Sequence, residues 1–177
     1  MKRLRNRFIH LIRRTTIVGL YFVVVSGVAG QEIRADCSND ASFWVAMEQV
    51  WVQFSTEEEK PLVIAAWVAK SLEQRARGFQ GACPGLVIER PLLFPFPVPV
   101  HANFHMTGVK VPLDIAFIDV SKQVIAIQRM TRQESNQPIR YYRPNSEIQF
   151  AFETVAGRLD QLRLNPGLWH MRISNRN

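Results

Sequence analysis

The chain has 177 residues, enough for one domain with a substantial core and hardly enough for two. Twenty-two basic residues against 15 acidic ones give a formal charge of +7, which invites a nucleic-acid reading. Six of the basic residues and none of the acidic ones precede residue 31, so the remainder carries 16 against 15, a balance of +1, and no Arg/Lys stripe interleaved with aromatics is left to argue phosphate binding.

The first segment, MKRLRNRFIHLIRR, is basic, and TTIVGLYFVVVSGVAG follows it, apolar and closing on small residues. Basic, apolar, then small is the order of a secretory signal peptide, with cleavage expected after Ala29 or Gly30. The apolar run is short for a membrane span, so an anchor is expected only if the signal stays uncleaved. Residues 1–30 are therefore read as signal or anchor, and the mature protein as periplasmic or secreted. Cys37 follows Arg-Ala-Asp, not small apolar residues, which speaks against a lipid-modified cysteine. Cys37 and Cys83 are the only cysteines; an oxidising compartment permits a disulfide between them, two free thiols being the alternative. No Cys-x-x-Cys pair supports thiol exchange.

Residues 31–60 read as a polar lead-in and a first strand region, with the strand near 48–54. LVIAAWVAK is a second strand, apolar on both faces. Ser71 and Gln74 have capping-box spacing and open a short helix that ends near GFQGACPG. Five prolines between Pro84 and Pro99 predict an ordered loop with short extended pieces, without a regular central strand or a long helix. VKVPLDIAFID and VIAIQR are further strands, and TRQESNQPIRYYRPNS a long loop. EIQFAFE alternates, with Ile148, Phe150 and Phe152 inward and Gln149 and Glu153 outward. Thr154 is expected to cap a second short helix, and LWHMRIS closes the domain as a strand. The expectation is a mainly β fold, a small barrel-like or sandwiched sheet with two short helices.

Little of this carries chemistry. His101 and His105 stand four apart in extended sequence, roughly 13 Å along a strand, so no metal site is expected. No GxSxG, HExxH or glycine-rich phosphate loop is present, and no cofactor is implied. Asp114 stands inside an apolar run. Parity puts Val109, Val111, Leu113, Ile115 and Phe117 on one side, which looks like core, and Asp114 on the other with Lys110, Pro112, Ala116 and Ile118. Asp114 then need not be deeply buried, and Pro112 suits an edge strand. A structural carboxylate ranks ahead of a binding group, and a binding group ahead of a catalytic one.

The stretch PLLFPFPVPVHANFHMTGVKVPLDIAFIDVSKQVIAI resembles the central pattern of the DUF192 family of uncharacterised small proteins, through Phe104, Met106, Pro112, Leu113, Asp114, Ile115, Phe117, Ile118 and Asp119. VAKSLEQRARGFQG is similar to an earlier family motif through Val68, Ala69, Glu73, Arg75, Ala76, Arg77 and Gly78, and RLDQLRLNPG looks like its late turn. The likeness covers residues 61–173 and implies a compact β-rich fold, often exported, with no established activity, substrate or cofactor. His105 stands where the family usually has tryptophan, Thr107 and Gly108 replace a lysine–asparagine pair, Pro91 replaces a glycine, and Pro166 and Gly167 lack the usual following aspartate.

The best functional expectation is a noncatalytic envelope or ligand-binding module, whose partner is a small molecule or an envelope component and not nucleic acid. The Pro-rich stretch 91–100, the turn 104–108 with His105 and Thr107, and the 140–143 loop with Arg140, Tyr141, Tyr142 and Arg143 are expected to form a shallow site, with Asp114 a further candidate. The alternatives are an envelope enzyme using Asp114 or Cys83, and a purely structural domain.

Overall fold

A computed structural model describes residues 41–175. Helix α1 (Ser42–Val45) leads to strands β1 (Gln49–Ser55) and β2 (Leu62–Val68), helices α2 (Leu72–Arg77) and α3 (Pro84–Glu89), and strands β3 (Leu92–Val100) and β4 (Phe104–His105). Strands β5 (Leu113–Ile118), β6 (Val124–Met130), β7 (Tyr141–Tyr142) and β8 (Ile148–Val155), helix α4 (Arg158–Gln161) and strand β9 (His170–Asn175) complete the order. The expected signal peptide and cleavage site, most of the polar lead-in and Cys37 lie outside the described residues. The conditional membrane anchor, expected in residues 1–30, gains no support from the structure: among the described residues no helix is long and apolar enough to cross a membrane.

Seven strands form one sheet in the order β6-β5-β8-β3-β2-β1-β9, and β4 with β7 forms a second, two-stranded sheet packed against it. The packing is carried by Phe104, whose ring meets Phe94 of β3 at 5.4 Å and Phe117 of β5 at 5.8 Å between centroids. The large sheet is not a closed barrel. Its edges β6 and β9 approach only at the bridge between Gln123 and His170, reinforced by backbone bonds such as Val124 N–H to the Trp169 carbonyl at 2.9 Å. Both faces are covered. One carries Val52, Phe54, Leu93, Ala116, Ile118, Phe152, Leu159 and Trp169. The other carries Trp67, Leu92, Phe94, Ile115 and Phe117 beneath α1, α3 and the segments that follow α2 and β4, which supply Trp44, Leu86, Val87, Phe79 and Met106.

Among the described residues four helices are present, not two. Proline density argued against a regular central strand or a long helix in 84–100; the helix found there, α3, is short, and Pro84 opens it at a first-turn position, where a missing amide costs nothing. Strand β3 runs nine residues through Pro95, Pro97 and Pro99 because of a parity effect. The Pro91 and Leu93 carbonyls accept from the Trp67 and Ala69 amides, at 3.0 and 2.8 Å, so odd-numbered backbone groups of β3 point toward β2. β2 ends at Val68, and the three prolines withhold their amides on the side where that partner has stopped. The second predicted helix is shifted: Thr154 belongs to β8, and α4 starts after Gly157, which holds a φ of 88°.

Candidate functional site

Asp114 is where parity misled. Strand β5 lies between β6 and β8, so it is buried on both faces and is not an edge strand, and Asp114 is 1% exposed. Its carboxylate is fully engaged. Arg129, directly opposite on β6, donates Nε–H to Oδ1 at 2.9 Å, and the Gly157 amide donates to Oδ2 at 2.6 Å. The same guanidinium reaches Asp160 of α4 at 2.5 Å, and these bonds hold Arg129 more basic than an ordinary arginine. Asp114 therefore ties β5, β6 and the β8–α4 turn together.

The other sequence-selected residues divide into two groups. The small sheet pairs Phe104 with Tyr142 and His105 with Tyr141, bringing the 104–108 turn and the 140–143 loop side by side. Tyr141 is exposed and meets the His105 ring edge-on at 6.3 Å. Tyr142 is buried, and its hydroxyl accepts the Thr131 amide at 3.0 Å, so it is part of the packing. Arg140 lies over the Tyr142 ring at 5.0 Å, and the Arg143 carbonyl accepts from Gln128 at 2.8 Å. Thr107 is exposed, and its amide donates to His105 Nδ1 at 3.3 Å. Cys83 is buried just before α3, away from this group's surface.

A cleft of about 250 Å³ opens between α2, the outer part of β3 and β4. Its walls include Phe79, Phe94, Phe96 and Phe104, and Arg75, Arg77 and His105 also face it. Local sequence builds the α2 wall. Ser71 Oγ accepts the Gln74 amide at 3.1 Å and Gln74 Oε1 accepts the Ser71 amide at 3.0 Å, closing a capping box. Gly78 ends the helix at a φ of 49°, and its carbonyl accepts Trp44 Nε1–H at 2.9 Å. The guanidinium of Arg77 stacks over Phe43 and Trp44, and that of Arg75 lies over Phe96.

Glu153 also lines this cleft. It was expected to point outward, but β8 is an interior strand and Glu153 is 5% exposed, set between Leu92 of β3 and Ile115 of β5. Among the described residues its side chain has no hydrogen-bond or ion-pair partner, and its oxygens are open to the cleft, since they are not among the polar atoms sealed from solvent without a partner. Burial alone pushes its carboxyl up to about 8, so the acid is mostly protonated at neutral pH. A neutral carboxyl can donate one hydrogen bond and accept others. No group of three or more metal-ligating side chains occurs among the described residues.

Comparison with known proteins supports the fold. The structure resembles a proposed transcription regulator from Sinorhizobium meliloti 1021, with a TM-score of 0.63 and 18% identity over 72% of this chain and 95% of that one. It also resembles a protein of unknown function from Novosphingobium aromaticivorans DSM 12444, with a TM-score of 0.61 and 20% identity over 73% of this chain and 88% of that one. No curated protein matches the sequence. Residues 52–169 match DUF192, described as Uncharacterized ACR, and the chain belongs to that family.

Proposed function

We propose that the protein is an exported, noncatalytic binding module whose ligand occupies the cleft between α2, β3 and β4. The observation that carries this reading is the unpartnered, buried Glu153 carboxyl facing an aromatic-lined cleft. Folding an isolated polar group into an apolar setting costs free energy, and a bound molecule that completes its hydrogen bonding offsets that cost. Neither group named for an enzymatic alternative lines the cleft: Asp114 is committed to Arg129 and Gly157, and Cys83 stands before α3. The export half of the proposal rests on the order of residues 1–30, and carries with it a disulfide between Cys37 and Cys83.

Titration of the protein with a set of monocyclic aromatic fragments, followed by two-dimensional NMR, tests the binding half. Amide shifts are expected to gather at residues 75–80, 94, 96 and 102–105, and to vanish in Ala102→Trp, which fills the cleft. Shifts spread over unrelated surfaces, or unchanged in the filled variant, defeat the reading. Intact mass of the protein recovered from producing cells, before and after reduction, tests cleavage near Ala29 and the disulfide together.

A further inference from the structure

We infer that the cleft selects a small, uncharged, largely apolar or aromatic molecule whose single hydrogen-bond acceptor, such as a carbonyl oxygen, is received by Glu153. This rests on the reading of the cleft as the binding site and names the class of molecule it takes.

The inference follows from what surrounds Glu153. Its cross-strand neighbours Leu92 and Ile115 are both fully buried and apolar, so the sheet itself offers it nothing. From the elements packed above, α2 and the segment after it supply Arg75, Arg77, Gln80 and Phe79, while β3 supplies Phe94 and Phe96. Strand β4 and its flanks add Asn103, Phe104, His105 and Val109. Among the described residues, the charged or titratable groups facing the cleft besides Glu153 are thus Arg75, Arg77 and His105.

A cationic ligand is disfavoured twice. It would meet two guanidiniums in the cleft wall, and it would require Glu153 to ionise where burial opposes the charge. An anionic ligand would be attracted by the same two guanidiniums, but it must shed its water beside apolar walls, and the aromatic rings beneath both cations partly offset their pull. Arg77 is stacked over the Phe43 ring at 4.3 Å and the Trp44 ring at 4.8 Å. Arg75 lies over Phe96 and donates to the Lys70 carbonyl. A neutral acceptor asks for none of this. It takes the Glu153 proton in a hydrogen bond while the rest of the molecule packs against Phe79, Phe94, Phe96 and Phe104. The volume suits one ring with a short substituent, since a cavity of about 150 Å³ already holds benzene.

The test titrates the full chain at pH 6.5 with acetophenone, ethylbenzene and benzylamine, which share a ring and differ in head group. NMR shifts of the cleft amides are followed in the wild type, Glu153→Gln and Glu153→Leu. Acetophenone is expected to bind about tenfold more tightly than ethylbenzene in the wild type and in Glu153→Gln, which keeps a donor. That gap is expected to close in Glu153→Leu, which removes the donor and retains the bulk. Equal binding of acetophenone and ethylbenzene in the wild type overturns this inference and leaves the binding-module reading standing. Tightest binding by benzylamine, lost in Glu153→Gln, overturns it in favour of a cation site. Failure of all three to shift the cleft amides overturns the inference and the binding reading together.

Discussion

Asp114 and Glu153 are two acids in neighbouring rows of one sheet, on opposite faces, with opposite fates. Asp114 pairs across the ladder with Thr154, Glu153 with Ile115, and the alternation of strand side chains sends them apart. Asp114 finds an arginine and a backbone amide; Glu153 finds hydrocarbon. Replacing Asp114 by Asn removes the charge and leaves one acceptor oxygen for the Arg129 and Gly157 donors. The expected loss is about 2 kcal/mol in urea unfolding, the scale of a buried hydrogen bond left poorly made. Unchanged stability would show that these bonds contribute nothing net. Glu153 predicts a pH effect of defined sign. Its folded pKa is raised from 4.5 to about 8, so the native state holds the proton more tightly than the unfolded chain does. This contribution is fully present below pH 4.5 and is lost as pH rises through 8, costing on the order of a few kcal/mol. Glu153→Gln should abolish that slope, so that the variant is the more stable protein at pH 9 and the difference shrinks toward pH 5. A parallel pH dependence in both proteins would remove Glu153 as its source.

At the scale of the elements, α2 could be read from the sequence because its signals are local: the Ser71–Gln74 box is visible in four residues and is the box observed. Ser71→Ala should therefore cost about 1 kcal/mol and loosen the α2 wall of the cleft, seen as faster amide exchange over residues 74–78. Exchange unchanged there would mean that packing on Trp44 alone holds the helix end. Strand β3 was illegible for the converse reason. Whether its prolines break a ladder depends on which side each amide would face and on where the neighbouring strand ends, and both facts belong to the sheet. Thr154 was misplaced likewise, because continued pairing of β8 with β5 through Val155 outcompetes a local cap. The small sheet shows an intermediate case. A shared shallow site for 91–100, 104–108 and 140–143 was an expectation, but the backbone pairing of Phe104 with Tyr142 that sets two of these segments side by side has no local mark.

Across the whole molecule, the family match and the β-rich character were legible in the chain, while the cleft was not. Arg75 and Arg77 entered only as matching residues, and Glu153 was assigned to solvent from the clean alternation of its strand. Alternation gives the right faces but not the number of layers; once a sheet is covered on both sides, an outward residue becomes an inner residue of the second layer. An acid in FAFETV is suspect only when that covering is known. The sheet also has a closing arrangement that bears on how the chain can be cut. Its last strand lies antiparallel to its first, with Val50 opposite Asn175, so the two ends of the described domain meet at one sheet edge. The order in which the elements are threaded is then separable from the order in which they sit. A permuted chain that keeps α1, joining residue 175 to residue 41 by a glycine–serine linker and opening in the exposed 134–138 loop, should fold to the same sheet, with β4 and β7 carried on separate ends of the new sequence. Matching backbone NMR shifts would establish it, and a permutant that fails to fold would show that the 131–140 connection steers assembly. The cleft lies apart from both cuts, so such a protein would offer the same aromatic walls and the same buried acid from a chain that begins in its middle.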